Sequence, residues 1–166
     1  LSDIVDFAPP RNLGKGSSAP YLEMANVNSD SSLVSDWYER EFTSGTKFMN
    51  GDTLLARITP CLENGKACYV TFLSQAQIGW GSTEFIVMRP KPIFHPLLAY
   101  ALVKNRDFRD FAESCLEGSS GRQRVNVDHL SNFTVTMPGE KTINDFNAAL
   151  AGIETKLITN SKQIRT

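Results

Sequence analysis

Asn50-Gly51-Asp52-Thr53-Leu54-Leu55-Ala56-Arg57-Ile58-Thr59-Pro60 is the stretch whose reading decides the fold class. Asn-Gly is a strong turn signal, Thr53 to Ile58 is an apolar run of strand length, and Thr59-Pro60 stops it. Downstream, Asn64-Gly65 opens a second run from Lys66 to Leu73. Gly79-Trp80-Gly81-Ser82-Thr83 then leads into a third, Glu84 to Met88, which ends before Arg89-Pro90. Three strands separated by turns predict an antiparallel meander.

Upstream of that frame the chain is turn-rich. Pro9-Pro10, Gly14-Lys15-Gly16-Ser17-Ser18 and Asn28-Ser29-Asp30-Ser31-Ser32 separate short apolar stretches, as in a loop-bearing β region. Past the frame, Pro96 suits a first helical turn, and Leu97, Leu98, Ala101, Leu102, Phe108 and Phe111 give an apolar helical face down to about Leu116. Gly118-Ser119-Ser120-Gly121 ends that helix, and Phe133 to Met137 reads as a short strand closed by Pro138-Gly139. In the last segment Ile143, Phe146, Leu150, Ile153 and Leu157 alternate three and four apart, and Asn160 and Ile164 continue the frame. This is a heptad seam, with Thr142 and Asp145 spaced as a capping box at its start. A seam two residues wide per heptad favours pairing with another helix over packing on a globular surface. The expected architecture is α+β: a twisted, mostly antiparallel sheet with a packed helix over residues 1–139, then a coiled-coil-forming helix over 140–166.

The 166 residues, 41% apolar and 21% charged, suit one globular domain. No apolar run approaches the roughly 18 to 20 residues of a membrane span, and Leu1-Ser2-Asp3-Ile4 does not open as a secretory signal, so a cytoplasmic location is expected. Cys61, Cys68 and Cys115 are odd in number and in no Cys-x-x-Cys pair, and no metal site is expected. The formal charge of −1 weighs mildly against nucleic acid, because Lys and Arg neutralise phosphate in most such complexes.

Chemical motifs are sparse. A small hydrolase would need Cys68 or Cys115 with His95 or His129 and a carboxylate such as Asp128; His95, between Phe94 and Pro96, is better placed for capping or packing. Gly14-Lys15-Gly16-Ser17-Ser18 lacks the spacing of a phosphate loop. Gly118 to Arg124 is more suggestive, since ten residues without an acid lie between Glu117 and Asp128, and glycines expose backbone N–H groups beside two arginines. Such a loop can hold phosphate, or the glycines can cap a helix while the arginines pair with nearby acids.

Taken as an ordered set, Gly51 to Pro60, Glu63-Asn64-Gly65-Lys66-Ala67, and Gly81-Ser82-Thr83-Glu84-Phe85-Ile86-Val87-Met88-Arg89-Pro90 resemble the specificity subunits of type I restriction-modification enzymes. Gly118 to Val125, Leu130, the Val135-Thr136-Met137-Pro138 exit into a helix, and Pro20-Tyr21-Leu22 with Asn26-Val27 continue the resemblance. It implies a target recognition domain followed by a spacer helix, no catalysis in the chain itself, and reading of one half of a bipartite double-stranded DNA target. It also implies assembly with methyltransferase and motor-nuclease restriction subunits, where S-adenosylmethionine, ATP and Mg would reside, and with a second recognition domain or a second copy through the helix. One domain and one helix make the chain, on this resemblance, a fragment or a half-subunit. An assembly module without DNA binding is the remaining alternative.

The resemblance also sorts candidate contacts. Arg57, Lys66, Arg122, Gln123 and Arg124 belong to the shared pattern and are expected at phosphate or in the fold. Asn28, Ser31, Arg40, Lys47, Gln75 and Gln77 lie outside it and are the candidates for base readout. Ile143, Phe146, Leu150, Ile153, Leu157, Asn160 and Ile164 are the expected pairing surface.

Overall fold

A computed structural model describes residues 1–34 and 36–164, the side chains of 161–164 excepted. The expected frame is present as β5 (Thr53–Ala56), β6 (Ala67–Tyr69) and β8 (Phe85–Pro90), all paired antiparallel. Their order differs from a meander. With β1 (Val5–Phe7) the sheet runs β1-β8-β5-β6, so β5 lies between its two partners. The reason is in its residues, because all four side chains of β5 are buried and a strand apolar on both faces needs cover on both sides. Leu55, Ile86 and Ala67 face a core shared with the helices, whereas Leu54, Val87 and Cys68 face a second core.

That second core is closed by another four-stranded sheet, ordered β3-β2-β7-β4 from β3 (Tyr38–Glu41), β2 (Ser18–Leu22), β7 (Gly79–Gly81) and β4 (Thr46–Phe48). Its pairs are antiparallel except β2 with β7, which run parallel. Between β6 and β8 the chain crosses to supply β7, and this crossover is what displaces β8 from the meander order. The two glycines of Gly79-Trp80-Gly81 let it in. A Cβ at Gly79 would sit 2.6 Å from the Phe48 ring, and one at Gly81 would sit 2.6 Å from the Leu22 carbonyl oxygen.

On the other side of the first sheet lie α1 (Leu98–Lys104) and α2 (Arg106–Ser114), where the sequence suggested one helix. The break is Asn105: its backbone is extended and its side chain accepts from the Phe108 N–H, so it caps α2. A two-stranded ribbon follows, β9 (Leu116–Glu117) with β10 (Arg124–Val125), enclosing the glycine loop. The short α3 (Val127–Leu130) is capped by Asn126. Phe133 to Met137, expected as a strand, pairs with none; the Phe133 ring instead packs on Phe108 and Phe111.

The last element is α4 (Glu140–Ile164). It begins two residues before Thr142, so Thr142 and Asp145 lie within it and the expected capping box does not form its start. The seam is also divided differently from the expectation of a surface separate from the domain. Ile143 and Leu150 are buried against the domain and Leu157 packs beside them, whereas Phe146 and Ile153 are 43% and 49% exposed. One row of the apparent heptad is therefore intradomain packing. Asn160 is exposed, and the Ile164 side chain lies outside the described residues.

Candidate nucleic-acid interface

The second sheet turns one face to the second core. On its other, outer face Trp80, Phe42 and Ala19 form a small buried cluster with Leu13 and Tyr21 packed against it, and Tyr38 and Arg40 stay exposed. Because partners across a ladder point the same way, Leu22, Phe48, Gly79 and Gly81 take the inner face, while Tyr38, Tyr21, Trp80 and Lys47 form one row across the outer face. Arg40 and Phe42 follow Tyr38 at period two on the same side, so Glu39 and Glu41 point the other way. The row is tightly packed: ring centroids are 5.4 Å apart for Tyr21 and Tyr38, 4.4 Å for Tyr21 and Trp80, and 5.3 Å for Phe42 and Trp80.

Two cations cover these rings. The Arg40 guanidinium lies 4.6 Å from the Tyr21 ring centre and 5.4 Å from that of Trp80. The Lys47 ammonium lies 4.8 Å from the Phe42 ring and donates to the Arg11 carbonyl. Such stacking holds Arg40 at low entropic cost, and its guanidinium also bonds the Tyr38 side chain, so the exposed arginine is fixed over the rings. The Tyr38 hydroxyl donates to Glu23 at 2.7 Å, and this bond raises the phenol's pKa above its ordinary value.

Other sequence candidates fall elsewhere. Asn28 and Ser31 lie on the segment that runs along the β6 edge, where the Tyr69 N–H donates to the Ser32 carbonyl. Gln75 and Gln77 occupy the turn before β7, and the Gln77 side chain accepts from the Ser74 N–H. The six base-readout candidates thus split into three places, with Arg40 and Lys47 sharing the outer sheet face.

The phosphate candidates are largely engaged internally. Arg124 makes a bidentate pair with Glu84, at 2.6 and 3.0 Å, which raises its pKa. Arg57 donates to the Val125 carbonyl at 2.7 Å, and Lys66 to the Met24 carbonyl at 3.2 Å. The Gln123 backbone bonds Thr59. Arg122 is exposed, with no side-chain partner among the described residues. The open cleft between Arg57, Arg124, Glu117 and Asp128 carries two charges of each sign, and His129 sits 3.0 Å from Glu117.

The hydrolase alternative finds no support in these contacts. Burial pushes the Cys68 thiol up to about 12 and also raises Cys115. His95 and His129 are joined to carboxylates, and among the described residues neither contacts a cysteine. Also among them, no cluster of His, Cys, Asp and Glu is placed to hold a metal ion, and no helix is long and apolar enough to cross a membrane.

The missed residues are the rings. Tyr38-Glu39-Arg40-Glu41-Phe42 alternates at period two, and that alternation would have placed Tyr38, Arg40 and Phe42 on one face. Nothing local links them to Tyr21 or Trp80, which arrive by long-range pairing.

Taken together, the molecule is an α+β module with a second sheet whose outer face carries a packed row of rings under two cations, and a long helix docked along its side. No protein-family profile matches the chain. It is 36% identical over 116 residues, 68% of its length, to the EcoEI type I restriction enzyme specificity subunit of Escherichia coli, and 37% identical over 94 residues to the EcoAI specificity subunit of the same organism. It spans 18% and 16% of those two relatives. Its fold matches the HsdS subunit of Thermoanaerobacter tengcongensis with a TM-score of 0.63 at 14% identity, covering 90% of this chain and 39% of that one. A chain from a type I R-M system, solved in a study of complex assembly and conformational transition, matches with a TM-score of 0.64 at 17% identity, covering 90% and 38%. The chain is therefore a relative of type I restriction-enzyme specificity subunits, in sequence and in fold.

Proposed function

We propose that this chain recognises double-stranded DNA by sequence, as the non-catalytic specificity component of a type I restriction-modification complex, and that it reads one half of a bipartite target. The observation that carries the reading is the outer face of the β3-β2-β7-β4 sheet. There Arg40 is exposed over the rings and Lys47 lies half-buried at their other end, while Glu39 and Glu41 point away and Glu23 is held by the Tyr38 hydroxyl, so a chain of net charge −1 still places two cations on one face. Arg and Lys address guanine edges, and Asn28, Ser31, Gln75 and Gln77 supply amide and hydroxyl groups on flanking loops. Arg122 is the phosphate contact of the glycine loop. The methyltransferase and restriction subunits are the partners, and they hold S-adenosylmethionine, ATP and Mg.

Selection from a random duplex library, followed by fluorescence anisotropy on the enriched sequence, tests this. A selected sequence should bind at least ten-fold tighter than a scrambled one, a threshold set well below the roughly 10³ or more typical of complete specific complexes because one half-site is read. Arg40→Ala should alter the preference at particular bases, whereas Arg122→Ala should weaken all sequences alike and flatten the salt dependence. Equal binding to every duplex, or none, would reduce the chain to an assembly module.

A further inference from the structure

The helix α4 is fastened to the domain by more than apolar packing. Its domain-facing stripe runs Ile143, Asn147, Leu150, Glu154 and Leu157, and the two polar members of that stripe are both bonded to the domain. The Asn147 amide bridges two backbone groups, donating to the Ile93 carbonyl at 2.9 Å and accepting from the His95 N–H at 2.8 Å. Two turns on, Glu154 accepts from the Tyr69 hydroxyl with one oxygen and stands 3.3 Å from His95 Nε2 with the other. His95 Nδ1 accepts from the Leu97 N–H, which leaves Nε2 as the N–H that donates to Glu154. Tyr69 is buried, and burial together with the Glu154 carboxylate drives its phenol far above the ordinary range, so it stays a donor.

Apolar contact alone does not fix a helix in place, because Leu150 and Leu157 would find similar cover after a slide of one turn. The polar ties do. A one-turn slide would bring Ile143 or Ala151 to the His95 backbone and Leu150 or Ile158 to the Tyr69 hydroxyl, leaving partly buried donors without acceptors. We infer that Asn147 and Glu154, acting through His95 and Tyr69, are positioning residues that fix the register and rotation of α4 against the domain. On the reading that the outer sheet face meets DNA, they hold whatever α4 carries at a set distance from that face. His95 is then the pivot, through its backbone to Asn147 and its ring to Glu154.

The test is a distance measurement on the whole 166-residue chain. In a Cys61→Ser background, with Cys68 and Cys115 buried, nitroxides are placed at Ser44→Cys in the β3–β4 turn and Lys156→Cys on α4, and electron–electron double resonance reads their separation. Asn147→Ala, Glu154→Ala and the double variant should each shift or broaden the distribution toward the one-turn step of about 5.4 Å, with helix content by circular dichroism unchanged. Ile153→Ala, on the exposed edge of α4, should leave the distribution as in the parent. An unaltered distribution in both single variants overturns the inference. DNA is absent from this measurement, so a chain that keeps the latch and binds no DNA refutes the proposed function alone. Should the double variant fail to fold, the two single variants decide.

Discussion

At the scale of single residues, Asp52 shows how a short motif becomes a structural joint. Its carboxylate is fully buried, accepts from the Met49 N–H at 2.8 Å, and pairs with Arg89 at 2.6 Å and Arg11 at 3.2 Å. It ties the turn at residues 49–52 to β8 and to the segment after β1. Removing one member of a buried charge group leaves the others unpaired, so Asp52→Ala should cost about 3–5 kcal/mol in urea unfolding, well above an ordinary surface change. Asp52 lies in the Gly51 to Pro60 motif, but its partners are about forty residues away on either side, where no local pattern reveals them. Burial also governs titration. Cys68 is raised from 9.0 to about 12 and Tyr100 from 10.0 to about 12, both by desolvation first. A folded-state pKa above the unfolded one gives stability that is full below the unfolded value and lost as pH rises through the folded one. Stability should therefore fall between about pH 9 and 12, read as a declining thermal midpoint, and a flat profile across that window would contradict the burial of these groups.

At the scale of elements, the strands β5, β6 and β8 were legible because turn signals and apolar runs are local. Their order was not, since the position of β5 between β6 and β8 follows from a crossover to a second sheet that no local pattern announces. The single helix expected before residue 116 is two because Asn105 caps rather than continues, a choice a periodicity count passes over when apolar spacing resumes at Phe108. The small cluster on the outer face of the second sheet rests on the glycines of β7, which put Trp80 on that face while the inner backbone lies close to Phe48 and Leu22. Gly81→Ala should destabilise the fold by a few kcal/mol, in the range of overpacked cores, because the added methyl meets a backbone carbonyl that cannot rotate away. The check is chemical unfolding together with tryptophan emission. If stability and Trp80 emission are both unchanged, the close approach of β2 and β7 is wrong.

At the scale of the whole molecule, the division of the C-terminal seam decides what α4 can still offer a partner. The heptad pattern was legible, but it merged two rows: Ile143, Leu150 and Leu157 turn to the domain, and Phe146 and Ile153 remain exposed. Phe146 also borders an apolar groove with Ile4, Phe94, Leu98 and Pro138, with exposed Ile93 and Met137 elsewhere on the apolar surface. Over its described length α4 runs 25 residues, and Phe146 and Ile153 are the part of its surface that a partner could still grip. The variant that tests this must spare the domain-facing row. Leu157→Asp would break intradomain packing and confuse the two effects, whereas Phe146→Asp with Ile153→Asp changes the row turned away from the core, with Phe146 touching the domain only at the groove edge. That double variant should keep the thermal midpoint of the parent within a few degrees, as surface changes of about ±0.5 kcal/mol do. It should also lose any concentration-dependent rise in molar mass seen by light scattering for the parent, and any binding of the parent to a methyltransferase subunit. If the parent neither self-associates nor binds such a subunit, or if the double variant does both as well as the parent, the exposed row is not a pairing surface and α4 serves its own domain alone.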